Sequence, residues 1–218
     1  MTGDRIPTTI LSIQEIPNGD PALLERLSAP AGHRSLGLIT TDCDDVSYAA
    51  LDEATKKAEV QVVYARSMYA GSSNASTALA GEFIGILSGP DPAAVRSGLA
   101  AAAAFIQEDA AFVSANPEDT VVYFAHCISR SGGYLSREAA VTEGTPIAYL
   151  IAPPVEALVG LDAALKAADV TLRKFYGPPT ETNFAGGLLA GSQAACRAAC
   201  EAFADAVRKT AVTPKVFI

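Results

Sequence analysis

The chain has 218 residues, half of them hydrophobic, with 16 basic side chains against 24 acidic ones and a formal charge of −8. That length suits one large domain or two of about 100 residues each, and the negative balance speaks against phosphate backbones and anionic lipid, so neither nucleic acid nor membrane is expected as a partner. No apolar run reaches the ~18 residues that would span a bilayer, and "MTGDRIPTTI" has no basic-then-apolar leader, so a reducing cytosol is expected.

The first predicted strand is "TTILSIQEI" (8–16), after which Asp20-Pro21 opens a short helix, "ALLERL". An apolar run then ends in "LITTDCDDV" (38–46), where Asp42, Asp44 and Asp45 crowd together before a predicted helix containing "SYAALDEATKKA". An Asp there caps orphan N–H groups and favours the positive end of the helix dipole, so one of the three is expected as the N-cap. A single cap does not account for three carboxylates; a metal or catalytic cluster and the lining of a cation passage stay open beside it. "VQVVYARSMY" reads as a strand and "MYAGSSNASTAL" (68–79) as a loop. "EFIGIL" is a strand with an interior Gly, and Asp91-Pro92 gives the next helix an N-cap with Pro at its first position.

The second half repeats the first. "LDEATKKAEV" (51–60) returns as "LDAALKAADV" (161–170), with Leu, Asp, Ala, Lys, Ala and Val coinciding. "EFIGILSGPDPAAVRSGL" (82–99) returns as "NFAGGLLAGSQAACRAAC" (183–200), where Ser192 takes the capping place. In front of these lie the strand "TVVYFAHCI" and the helix "YLSREAA", answering the leading strand and helix of the first half. The chain is therefore read as two copies of one unit, 1–110 and 111–218. Where the first copy has Asp44, Asp45 and Glu82, the second has a Pro153-Pro154 pair and Asn183. If the fold itself needed carboxylates there, both copies would carry them.

Other candidate chemistry is thin. Cys196-x3-Cys200 puts two thiols on one helix face, but a zinc site needs two more ligands, so buried structural thiols are expected. His126-Cys127 ends an apolar strand without an orienting group for catalysis. Glycines 71, 81, 85 and 89 form neither a phosphate loop nor a dinucleotide fingerprint. Neither a catalytic residue nor a metal ligand is assigned.

The runs "SLGLI", "LDEATKKAEVQVV" and "EFIGILSGPDPAAVRSGL" resemble the bacterial microcompartment (BMC) shell domain. The duplicated arrangement over about residues 30–210, most specifically over 33–71, looks like shell proteins of the EutL (ethanolamine-utilisation) type; the first thirty residues and the tail match poorly. The resemblance implies an α/β (α+β) fold of two tandem, circularly permuted BMC domains, each a small antiparallel sheet flanked by helices. It implies a structural, non-enzymatic protein in the shell of a cytoplasmic microcompartment, a homotrimer forming a pseudohexamer among other microcompartment shell proteins. It further implies a small acidic pore in each subunit at Asp44, Asp45, Glu82 and Phe112, suited to a small-molecule metabolite such as ethanolamine by charge-assisted hydrogen bonds and a cation–π contact. A central pore would be gated by 68–79, with Tyr69, Gly71, Ser72 and Asn74, and by 176–184, with Pro178, Thr180 and Asn183. Lys56 and Lys166, equivalent in the repeat, would lie at the edge against neighbouring tiles. Two other classes stand beside this reading: a regulatory module binding cobalamin or an amine, and an enzyme using the three carboxylates.

Overall fold

The computed structural model describes residues 1–68 and 79–215. In chain order the first half holds β1 (Arg5–Ile6), β2 (Ile10–Ile16), α1 (Pro21–Arg26), β3 (Ser35–Thr41), α2 (Asp44–Lys57), β4 (Gln61–Ser67), β5 (Phe83–Gly89) and α3 (Pro92–Ala104), extended by a π-helical turn over Phe105–Asp109. The second half holds β6 (Phe112–Ser114), β7 (Val122–Ile128), α4 (Gly133–Glu138), β8 (Ile147–Ala152), α5 (Pro154–Ala167), β9 (Val170–Tyr176), β10 (Ala185–Gly191) and α6 (Gln193–Val212). The chain forms two compact units: Pro7–Ala110 with Gly132–Leu135, and Met1–Ile6 with Ala111–Ser131 and Ser136–Ile218.

The first unit is an antiparallel sheet in the order β2-β3-β5-β4 with α2 and α3 packed on it. The reasons lie in the residues. β3 and β5 carry Leu36, Ile39, Phe83 and Leu87, all buried, and α2 and α3 answer with Val46, Ala50, Leu51, Val95 and Leu99. β3 also spares room for α3, since a Cβ on Gly37 would come within 2.6 Å of the Val95 side chain. The Asp91 carboxylate accepts from Ala94 N–H at 2.9 Å, the expected cap, with Pro92 in the first turn. The short α1 begins as expected too, with Asp20 capping Ala22 N–H at 2.9 Å.

The second unit is a six-stranded antiparallel sheet, β1-β6-β7-β8-β10-β9. Its last four strands repeat the order of the first unit, and the register repeats as well: Leu38 faces Ile86 in one, Leu150 faces Gly187 in the other. The core gathers Leu150, Leu161, Leu189, Phe203 and Val207. Cys196 and Cys200 are buried free thiols occupying the places of Val95 and Leu99, so they pack as small apolar side chains. Burial pushes both thiols up in pKa. Ser192 caps α6 through Ala195 N–H at 3.1 Å. Volume is traded between the copies: Gly160 and Phe203 stand where the first unit has Ala50 and Ala102, and a Cβ on Gly160 would sit 2.6 Å from the Phe203 ring.

Candidate functional site

The acidic segment lies at the turn from β3 into α2. The N-cap position is Cys43, whose side chain makes no capping bond, and Asp44 and Asp45 occupy the first turn. The expectation that an Asp caps this helix is therefore corrected. Two hydroxyls brace the turn at its carbonyl. Thr41 and Ser47 both donate to the Cys43 carbonyl, at 2.8 and 2.7 Å, with their oxygens 2.7 Å apart. These bonds hold the Cys43 carbonyl and leave the N–H groups of the first turn to other acceptors, the Asp44 carboxylate among them. Asp42 is exposed and ties down the start of the unit by accepting from Thr9 N–H at 2.7 Å.

Asp44 and Asp45 are buried. Asp44 accepts from Asp45 N–H at 2.9 Å. Two opposed effects act on it: a helix N-terminus favours a negative charge by about 0.3–1 kcal/mol, and burial penalises it. Burial wins, raising the Asp44 carboxyl above the ordinary Asp range against the pull of the Ser67 hydroxyl. Glu82, half-buried at the entrance to β5, is raised as well, first by burial and then by the charges of Asp44 and Asp42. Burial likewise lifts the Cys43 thiol and the Tyr48 phenol to about 12 each. Gly81 places Glu82 here. It takes a left-handed φ of +63°, and a Cβ on it would collide with the Thr41 carbonyl; the next residue then donates its N–H to that carbonyl at 2.8 Å.

Tyr48 and Ser67 also belong to this group and were not singled out in the sequence. Their hydroxyls lie 2.9 Å apart, and the Tyr48 ring stands edge-on to Phe83 at 4.9 Å. Tyr48 follows Asp44 by one helical turn, so i, i+4 spacing was a usable signal. Ser67 arrives through packing of α2 on the sheet and leaves no local trace.

The structure thus brings Asp44, Asp45 and Glu82 into one unit. Phe112 belongs to the other, on β6, its ring enclosed by Phe124 at 5.6 Å and Phe184 at 5.8 Å. In the second unit, Pro153 takes the N-cap position of α5 without a capping bond. Pro178 and Asn183 are exposed on the β9–β10 connection. Asn183 has a left-handed φ of +60°, and Thr180 donates to the Phe184 carbonyl at 2.8 Å. Tyr69, Gly71, Ser72 and Asn74 lie outside the described residues. Lys56 is largely covered, paired with Glu53 and 3.8 Å from Asp52, whereas Lys166 is exposed beside Asp162 at 2.7 Å. Among the described residues no group of three or more His, Cys, Asp or Glu is placed to hold a metal ion, and no helix is long and apolar enough to cross a membrane.

The fold defines the class, a protein built on the BMC domain, and the family model of that description matches residues 35–117. The chain is 60% identical over 217 residues to the bacterial microcompartment shell protein EutL of Clostridium perfringens, covering 100% of both, and 49% identical over 211 residues to that of Escherichia coli, covering 97% of this chain and 96% of the other. The crystal structure of the ethanolamine utilization protein EutL from Leptotrichia buccalis superposes with a TM-score of 0.97, at 60% identity over 100% of both chains. A trimeric shell protein, PduB, shares the fold at a TM-score of 0.74 and 19% identity, over 94% of this chain and 89% of the other. The chain belongs to the EutL family of bacterial microcompartment shell proteins. It is a structural component of such a shell and not an enzyme, which sets aside the reading of the three carboxylates as acid–base machinery.

Proposed function

We propose that the protein tiles the microcompartment shell as a homotrimer, a pseudohexamer of six similar wedges, and that the acidic turn of its first unit binds or passes a small organic cation of the ethanolamine kind. The observation that carries the ligand reading is the asymmetry between copies. Asp44, Asp45 and Glu82 are buried or half-buried in one unit, at a cost visible in the raised Asp44 and Glu82, while in the other unit α5, aligned on α2, opens with Pro154 and Val155, one place along from the Pro153-Pro154 pair matched in the sequence, and Asn183 stands for Glu82. A feature the fold can dispense with in one copy is retained in the other for something other than folding. A primary ammonium brings positive charge and several N–H donors that neighbouring carboxylates can share, and the relatives' association with ethanolamine utilisation points to that amine.

The domain reading rests on the same repeat. The BMC model begins at Ser35, leaving β2 and α1 ahead of it and taking in β6 behind, as a circularly permuted domain would. The connections 68–79 and 176–184 are proposed as the gate of a central pore, and Lys56 and Lys166 as contacts between tiles. Calorimetric titration with ethanolamine tests the ligand reading. The parent protein should bind, and Asp44→Asn and Glu82→Gln should each weaken binding about tenfold, near 1.4 kcal/mol. Equal affinity in parent and variants would remove the acidic turn from the account.

A further inference from the structure

One face of α2 is covered, and the same face of α5 is bare. In the first unit the Asp52 carboxylate is fully buried and accepts from Gly132 N–H at 2.7 Å and Leu135 N–H at 2.8 Å. Beside it, Thr55 Oγ1 accepts from Gly133 N–H at 3.0 Å, and the Tyr134 ring stacks on Tyr48 at 6.1 Å. The repeat puts Asp162, Leu165 and Leu158 of α5 in the places of Asp52, Thr55 and Tyr48. There the Asp162 side chain is 62% exposed, and Leu158, at 51%, lies among exposed Val155, Val159 and Leu165.

The repeat also identifies the cover. Gly132–Leu135 opens α4, and its counterpart, 20–23, opens α1. Backbone geometry fixes this match. Left-handed Ser28 and Gly32 after α1 recur as Ala140 and Gly144 after α4. The bonds Ser28 N–H to Glu25 O and Ala29 N–H to Leu24 O recur as Ala140 N–H to Arg137 O and Val141 N–H to Ser136 O. Residues 20–23 are all exposed. The differences between the two sets are themselves matched. Where Gly133 donates to Thr55, the counterparts are Pro21, with no N–H, and Leu165, with no acceptor. Where Tyr134 stacks on Tyr48, they are Ala22 and Leu158, both aliphatic. The N–H groups of Asp20 and Leu23 and the Asp162 carboxylate are kept.

We propose that residues 20–23 of a second copy of this chain dock on the α5 face at Asp162 and Leu158, making between chains the contact that Gly132–Leu135 makes within one. This rests on the trimer reading and names the surfaces that close it. Each chain offers one segment and one face, a head-to-tail contact that closes into a ring by rotation. A Cβ on Gly132 would press on Thr55 and on the Asp52 carbonyl. Asp20 carries one, so the docked segment stands off further from the helix than its model does.

An Ala22→Cys, Leu158→Cys double variant tests the geometry. After mild oxidation it should run as a covalent trimer on non-reducing denaturing gels, while each single variant, a control for the four native thiols, runs as a monomer. Leu158→Arg, at a surface position, should lower the native mass from three chains to one at micromolar concentration with an unchanged circular dichroism spectrum. If the parent is a trimer, the double variant does not cross-link and Leu158→Arg stays trimeric, the surface is wrong and the trimer stands. A parent that is monomeric at every concentration overturns both.

Discussion

The two units are near copies in strand order and register, yet they differ at the turn into their long central helix. α2 starts with buried Asp44 and Asp45 behind Cys43, whose carbonyl takes the Thr41 and Ser47 hydroxyls; α5 starts at Pro154 behind Pro153, and neither N-cap residue makes a side-chain capping bond. Both helices run 14 residues, so neither chemistry is required for a helix of that length at that place. What the fold does require is shared: the sheet order, the capped helices α3 and α6, and the buried faces that meet across them. The comparison separates what both units share from what only one of them carries.

The sharpest way to break it is in the core, where the units trade volume. Phe203→Ala should destabilise by about 3–5 kcal/mol, read by urea unfolding. Gly160→Ala should cost about 1–2 kcal/mol, overpacking against that ring outweighing the gain in helix propensity. The double variant, which restores the Ala–Ala combination of the first unit, should cost less than the sum of the two; strict additivity would show that these positions are not compensating partners.

Next in size is Asp52. Alanine there strands two buried N–H donors and should cost about 3 kcal/mol. Asn keeps one acceptor oxygen and should cost about 1 kcal/mol in the same melts. An Asp52→Ala protein as stable as the parent would mean that Gly132–Leu135 is held by something else.

The effects at the acidic turn are smaller and carry a sign in pH. Asp44 and Glu82 titrate above their unfolded values of 3.8 and 4.5. The folded chain therefore holds these protons more tightly, and the stability they contribute is complete below the unfolded values. It is lost as pH rises through the raised ones. Thermal melts of an Asp44→Asn, Glu82→Gln variant should show a flatter pH profile than the parent above pH 4, with no loss of stability at pH 7. Binding of an ammonium ligand should move oppositely, strengthening over the same rise as the carboxylates ionise. Affinity that is flat between pH 4 and 7 would separate the ligand from these two groups.

Much of this was legible from local pattern. "LDEATKKAEV" and its echo marked α2 with β4 and α5 with β9, and Asp20, Asp91 and Ser192 announced three helix starts that the structure keeps. Those signals work because capping and amphipathic spacing act over three or four residues. The Asp44 turn misled for the same reason. Asp is a good cap by composition, but Thr41 and Ser47 claim the turn from either side, and only the assembled β3–α2 corner shows it. Ser67 beside Tyr48, and the amides of Gly132 and Leu135 on Asp52, come from far along the chain, where no spacing rule reaches.

The membership of Gly132–Leu135 in the first unit bears on how the polypeptide matures on the ribosome. Domains generally fold as they are completed, the N-terminal one first. Here residue 110 does not complete anything: the Asp52 carboxylate waits for donors that are translated only after β7 has emerged. Arg5 and Ile6 likewise wait for β6, more than 100 residues further along, to pair with them. The first unit is therefore closed only by a stretch of chain borrowed from beyond residue 131, while the second still awaits its last three strands and two long helices, so a nascent chain arrested after residue 110 should leave the first unit far more open to protease than one arrested beyond residue 140.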